Sequence, residues 1–75
     1  MKLFDEVLGE RIKKELYLSG MSQRELARIM EVPAGTLWTW ISGQRRMTAE
    51  NLYYISKVVG FSIDEILSGI TKEME

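Results

Sequence analysis

Apolar residues recur every three or four positions along most of the chain, which is the spacing of an α-helix with one buried face. Glycines or a proline separate five such stretches. Two of the stretches illustrate the pattern, with apolar residues at Leu8, Ile12 and Leu16 and again at Leu52, Ile55 and Val59. No stretch shows the strict alternation of a half-buried β-strand. The pattern therefore predicts a compact all-α fold of five helices.

Helix boundaries can be predicted from capping residues. Ser22 followed by Glu25 forms a capping box, in which each side chain bonds a free amide at the helix start. Thr48 is a good N-cap for the fourth helix, and Ser62 with Glu65 predicts a second capping box before the fifth. Glycines close four of the predicted helices, at Gly20, Gly43, Gly60 and Gly69. We therefore expect one domain over residues 1–69 and a frayed tail over residues 70–75.

The central residues 22–43 predict two short helices joined by a tight turn. The run Glu31-Val32-Pro33 ends the first helix, because the residue before proline disfavours the helical conformation and proline supplies no amide. Pro33 can open the next helix, where a missing donor costs nothing, and that helix is expected over about residues 33–42. This is a helix-turn-helix, whose commonest use is to place its second helix in the DNA major groove.

Charge is unevenly distributed along the sequence, although the formal net charge is only −1. Residues 1–10 carry a net charge of −2, residues 11–46 carry +4, and residues 47–75 carry −3. A basic central segment favours a nucleic-acid partner. The alternative is an ordinary solvated surface on which charges happen to cluster.

The residues that are missing limit the chemistry. There is no cysteine and no histidine, so we expect no disulfide, no metal site, no cofactor and no catalytic site. No apolar run approaches a membrane span, and the charged, amphipathic residues 1–18 differ from a signal peptide. The sequence predicts a soluble, cytoplasmic, non-enzymatic protein.

From about Gly9 to Leu67 the chain resembles the lambda-repressor-like helix-turn-helix family, the small five-helix domains of phage repressors and related bacterial regulators. The resemblance is carried by these residues: Ile12, Gly20-Met21-Ser22-Gln23, Glu25-Leu26-Ala27, Val32, Thr36-Leu37, Ser42-Gly43, Leu52, Ile55 and Gly60-Phe61-Ser62-Ile63-Asp64-Glu65-Ile66-Leu67. It implies that Gln23 bonds a DNA phosphate and that the third helix reads bases through its N-terminal half.

Two departures from the family pattern bear on the fold. Glu31 stands at a turn position where the family most often has glycine, since the backbone there tends to need a positive φ. We expect a strained or slightly reshaped turn. Leu16 and Ile41 stand where some members have a buried arginine and glutamate that pair. Replacing both partners by apolar residues keeps the interior dry.

The outward face of the third helix offers small, hydroxyl and aromatic side chains, but no Arg, Lys, Asn or Gln for bidentate base contacts. The residues predicted to contact bases are Ala34, Gly35, Thr36, Trp38 and Thr39. Those predicted to contact phosphates are Gln23, Arg24, Ser42, Gln44, Arg45 and Arg46. Two explanations of Gly35 stay open: DNA approaches the helix backbone closely there, or glycine is merely tolerated in the first turn of a helix. For Trp38 three interpretations stay open: a DNA contact, semi-buried padding, or an anchor for a protein partner.

These observations predict sequence-specific binding of double-stranded DNA by a transcriptional regulator of the phage-repressor type. A domain this small covers one half-site, so we expect a homodimer on a pseudo-palindromic operator. The apolar segment Phe61–Ile70 is the expected dimer surface, unless its Ile63, Ile66 and Leu67 are wholly used in the core. The alternatives are a protein-interaction module of the same fold, or an antitoxin of a toxin–antitoxin pair that binds both DNA and a protein.

Overall fold

The computed structural model describes the backbone of residues 3–74 and the side chains of residues 3–73. This part of the chain contains five α-helices and no β-strand, as the hydrophobic pattern predicts. The helices are α1 (Phe4–Ser19), α2 (Gln23–Met30), α3 (Ala34–Ile41), α4 (Ala49–Val59) and α5 (Ile63–Met74). None of these helices is both long enough and apolar enough to cross a membrane.

The predicted helix starts are confirmed by their capping bonds. The Glu25 amide donates to the Ser22 hydroxyl oxygen at 3.0 Å, and the Ser22 amide donates to the Glu25 carboxylate at 3.3 Å. At the start of α4 the Asn51 amide donates to the Thr48 hydroxyl oxygen at 3.1 Å. The Ser62 hydroxyl oxygen accepts the Glu65 amide at 3.3 Å, which is one of the two bonds expected of the second box. Local sequence therefore sets where these helices begin.

The predicted end of the last helix is wrong. Helix α5 continues through Gly69 to Met74, so the residues expected to fray from position 70 belong to the helix. Ile70 is fully buried in the core. Burying such a side chain contributes about 1.5–3 kcal/mol, which exceeds the roughly 1 kcal/mol that an internal glycine costs a helix. Residues 1 and 2 of the predicted domain and residue 75 of the predicted tail lie outside the described residues.

All five helices contribute to one hydrophobic core. Its buried members are Val7, Leu8, Ile12, Leu16, Leu26, Ala27, Leu37, Ile41, Ile55 and Ile70. Helix α1 packs against α3 and α5, and α2 packs against α3, so α1 and α2 together support one side of α3. Phe61, Ile66 and Leu67 are partly buried against this core. The segment expected to form a dimer surface thus contributes much of its apolar area to the core instead.

Two glycines allow α1 to approach the end of α3 closely. A Cβ at Gly9 would overlap the carbonyl oxygen of Ile41 and lie 2.6 Å from its carbonyl carbon. Gly43 has φ +82°, and a Cβ there would lie 2.8 Å from the Cα of Glu6. These contacts involve main-chain atoms, which cannot move aside as a flexible side chain can. They fix the first half of α1 against the C-terminal end of α3.

The turn between α2 and α3 places Glu31 in the conformation that glycine adopts most easily. This residue has φ 58° and ψ 41°, which is the left-handed conformation. A residue with a side chain adopts that conformation at a cost of about 1–3 kcal/mol. The Glu31 amide donates to the Arg28 carbonyl at 3.2 Å, and the Val32 amide donates to the Ala27 carbonyl at 3.0 Å. The predicted strain is therefore present at Glu31, while hydrogen bonds close the end of α2.

Candidate nucleic acid interface

Helix α3 is embedded along one side and open along the other. Leu37 and Ile41 are buried in the core, and Trp40 is partly buried against it. The predicted base-contacting residues occupy the other side. Ala34, Gly35 and Trp38 are exposed, and Thr36 and Thr39 are half-buried. The first turn of α3 is the most open part, which is the end that enters the groove first in a helix-turn-helix.

Two hydroxyl groups, that of Thr39 in α3 and that of its C-cap Ser42, donate to the backbone of α3. Thr39 Oγ1 donates to the Thr36 carbonyl at 2.6 Å, and Ser42 Oγ donates to the Thr39 carbonyl at 3.3 Å. A hydroxyl that donates in this way keeps its oxygen lone pairs as acceptors. In the major groove, adenine and cytosine present amino donors, whereas guanine presents acceptors. Thr39 in this rotamer is therefore suited to accept a bond from adenine or cytosine.

Nothing inside the protein requires glycine at position 35. A Cβ added there would meet no atom within 4 Å, and Gly35 does not have a positive φ. This position differs from Gly9 and Gly43, where a Cβ would collide with the backbone. If position 35 must be glycine, the reason therefore lies outside the chain, in something that approaches α3.

Trp38 lines an open groove of about 210 Å³ between α3, α1 and the start of α2. The other residues that line it are Glu6, Glu10, Lys13, Gln23, Ile41 and Ser42. Trp38 is 52% exposed, so about half of the residue is covered and half is available to a partner. The groove brings together three residues predicted to contact DNA, namely Gln23, Trp38 and Ser42.

The start of α2 offers a site for a phosphate. The capping box occupies the amides of Ser22 and Glu25, and the amides of Gln23 and Arg24 lie between them in the first turn. Such amides and the positive end of the helix dipole favour an anion. Gln23 is half-buried in the groove and Arg24 is exposed. Both side chains can therefore supplement the amides at this helix end.

The loop after α3 is tied to the last turn of that helix. The Arg45 amide donates to the Thr39 carbonyl at 3.1 Å, and the Gly43 amide donates to the Trp40 carbonyl at 3.2 Å. Gln44, Arg45 and Arg46 are exposed. The bonds therefore fix the backbone of a loop that carries two arginines relative to α3.

Charges that are separate in sequence lie together in the fold. Asp5 forms an ion pair with Arg46 at 3.2 Å, while Glu6 and Glu10 line the groove beside Trp38. Sequence reasoning missed these three carboxylates because they belong to the acidic first segment, and no local signal indicates where α1 docks. Arg11, counted in the basic segment, pairs with Glu73 of α5 at 2.7 Å. Within residues 3–73, the predicted phosphate contacts Arg24 and Arg45 form no ion pair.

Comparison with known proteins identifies the family. A family model described as helix-turn-helix, HTH_3, matches residues 12–66 and so includes α2, the turn at Glu31 and α3. Searches of curated proteins and of solved structures gave no match to the chain. The matched region covers most of the chain, from the second half of α1 to the first turn of α5. The chain therefore belongs to the lambda-repressor-like helix-turn-helix family of DNA-binding regulators.

Proposed function

We propose that this protein is a cytoplasmic transcriptional regulator of the phage-repressor type, which binds a specific double-stranded DNA sequence with α3 in the major groove. The observation that carries the proposal is the open side of α3, where Ala34 and Gly35 in its first turn and Trp38 in its second turn are exposed. Two features suited to bind phosphates flank this surface. They are the start of α2 and the loop after α3 with Gln44, Arg45 and Arg46, here called the arginine loop. A reading helix with backbone contacts on both sides is the arrangement that helix-turn-helix binding needs.

Base reading in this proposal depends on shape and on single hydrogen bonds. The small residues Ala34 and Gly35 let the backbone of α3 come close to the base edges. The oxygen of Thr39 accepts a bond from an amino group, and its methyl group can contact a thymine methyl. Trp38 covers the sugar–phosphate backbone or a thymine methyl at the edge of the groove.

Phosphate contacts orient α3 in the groove and supply affinity that is independent of sequence. On one strand the phosphate lies at Gln23 and Arg24. Ser42 lines the same groove as Gln23 and contacts the same strand. On the other side of α3, the backbone passes the loop residues Gln44, Arg45 and Arg46. Because α3 has eight residues, one chain covers one half-site. We therefore propose a homodimer on a pseudo-palindromic operator.

Replacing Thr39 by alanine tests this assignment of specificity. Thr39→Ala should weaken binding to the preferred site by about 1–3 kcal/mol and relax the preference at one or two base pairs, because the acceptor and the methyl group are both lost. Binding to random DNA should change little. The measurement is a selection from randomised duplexes, followed by titration of the recovered site.

Thr71→Ala is the matched control, since Thr71 is an exposed helical threonine whose hydroxyl also donates to its own helix, at 3.0 Å to the Leu67 carbonyl. It lies on α5 and should select the same motif as the wild type. Recovery of one identical motif by the wild type and by Thr39→Ala would place specificity elsewhere.

Gly35→Ala should separate stability from DNA binding. The added Cβ meets no atom within 4 Å. Alanine is favoured over glycine in a helix by up to about 1 kcal/mol, so the melting temperature should rise. Affinity for the preferred site should fall, because the methyl group keeps the helix backbone away from the bases. Thermal melts and titration of the selected duplex measure the two effects. A stabilised variant with undiminished affinity would mean that glycine is merely tolerated at this position.

One observation favours the alternative of a protein-binding module. The groove beside Trp38 carries Glu6, and an indole next to a carboxylate suits a basic protein segment better than a phosphate backbone. If the groove binds a protein partner and the chain does not bind DNA, nothing requires the affinity for duplex DNA to fall steeply with added salt. The salt dependence of duplex binding therefore distinguishes the two functions.

A further inference from the structure

Arg46 forms an ion pair with a carboxylate from the first turn of α1, far from it in sequence. Its Nε donates to both carboxylate oxygens of Asp5, each at 3.2 Å, although the two residues are 41 positions apart. The Asp5 side chain is 23% exposed, whereas that of Arg46 is 75% exposed. The carboxylate is thus sheltered beneath a guanidinium group that faces solvent.

The backbone on both sides keeps this pair in place. Asp5 lies in the first turn of α1, next to Glu6, whose Cα would lie 2.8 Å from a Cβ at Gly43. On the other side, the Arg45 amide bonds the last turn of α3. The packing of α1 against the end of α3 therefore keeps the Asp5 carboxylate next to the arginine loop.

We propose that Asp5 is an electrostatic brake on DNA binding, which neutralises Arg46 and lowers the affinity of the protein for every duplex regardless of sequence. The inference rests on the proposed function, because it assumes that the arginine loop faces the DNA backbone. Arg45, which has no ion pair within the described residues, supplies a full phosphate contact. Arg46 supplies less than one, because a phosphate must compete with the carboxylate for the same cation.

The brake is partial by its nature. An exposed ion pair is weak and is screened by salt, so a phosphate can displace Asp5, but the carboxylate stays close to the incoming backbone. Lower affinity for all sequences makes the protein depend more on the base contacts of α3. This agrees with a DNA-binding domain whose net charge is −1.

The test compares Asp5→Asn with the wild type on a random duplex over a range of salt concentrations. Asparagine keeps an oxygen for the Arg46 Nε but removes the charge. The slope of log affinity against log salt should steepen by up to about 0.9, the value for one full phosphate contact, which corresponds to an affinity gain of up to about eightfold at about 0.1 M salt. Adding Arg46→Ala to Asp5→Asn should cancel most of that gain. A double variant that binds as tightly as Asp5→Asn would show that Arg46 is not the group released.

Glu73→Gln is the matched control, since it removes the same charge from the Arg11–Glu73 ion pair between α1 and α5. It should change duplex affinity by less than about twofold, because exposed charges far from the DNA are screened. An equal gain from Glu73→Gln and Asp5→Asn would reduce the effect to net charge and overturn the inference. Weaker binding by Asp5→Asn would also overturn it, since Asp5 would then position Arg46 for the phosphate.

Two further measurements separate the possible causes of failure. If Asp5→Asn melts well below the wild type, Asp5→Ser replaces it, because serine is also accepted in the first turn of a helix; the same affinity gain is expected. A wild type that shows no salt-dependent duplex binding would contradict the proposed function and this inference together. A wild type that binds, with no gain in either Asp5 variant, would contradict the brake alone.

Discussion

Replacing Ile41 by glutamate should destabilise the fold by about 3–5 kcal/mol, because it places an unpaired carboxylate among apolar side chains. Ile41 ends α3 and is 6% exposed within the core. Domains of this size have total stabilities of the order of 5–10 kcal/mol, and the loss is a large share of that. Urea unfolding of the variant and the wild type measures the difference.

Ile29→Glu is the control, because Ile29 lies on α2 and is 41% exposed. The same change there should alter the free energy of unfolding by no more than about 0.5 kcal/mol. Adding Leu16→Arg to Ile41→Glu should recover part of the loss, since Leu16 belongs to the same core cluster and an arginine there can pair with the glutamate. An Ile41→Glu variant as stable as the wild type would contradict the packing described for the end of α3.

Gly9→Ala should destabilise the protein by about 1–3 kcal/mol, even though alanine is intrinsically the better helix former by about 1 kcal/mol. The added Cβ would overlap the Ile41 carbonyl oxygen, so α1 must move away from the end of α3. Gly35→Ala, the same substitution in a helix without any contact, should be stabilising and serves as the control. The thermal melts of the two variants should therefore shift in opposite directions. A rise in both melting temperatures would show that helix propensity alone decides both.

The parts of the fold that were predictable from sequence are those set by local chemistry. Ser22, Glu25 and Thr48 fix helix starts through bonds to residues three positions away. The apolar residues Leu37 and Ile41 mark the buried side of α3. Because the period of a helix is known, the residues on the opposite side follow, and these are the candidate base contacts. The candidate site on α3 was therefore predictable because a single helix defines it.

The parts that sequence reasoning missed depend on contacts between distant residues. Gly69 looked like a helix end, but the burial of Ile70 against other helices carries α5 further. Asp5 and Arg46 are 41 positions apart, and their pairing follows from the docking of α1 on α3. Gly9 gave no sequence signal of its role, because only the position of Ile41 shows why a side chain is excluded there.

The salt dependence of duplex binding tests the proposed DNA-binding function most directly. For the wild type, log affinity for a random duplex should fall linearly with log salt concentration, because arginine contacts release counterions from the phosphates. Arg45→Ala should flatten that slope by about 0.9, the value for one lost phosphate contact. An affinity that is independent of salt, or a slope that Arg45→Ala leaves unchanged, would contradict a DNA backbone lying along the loop that follows α3.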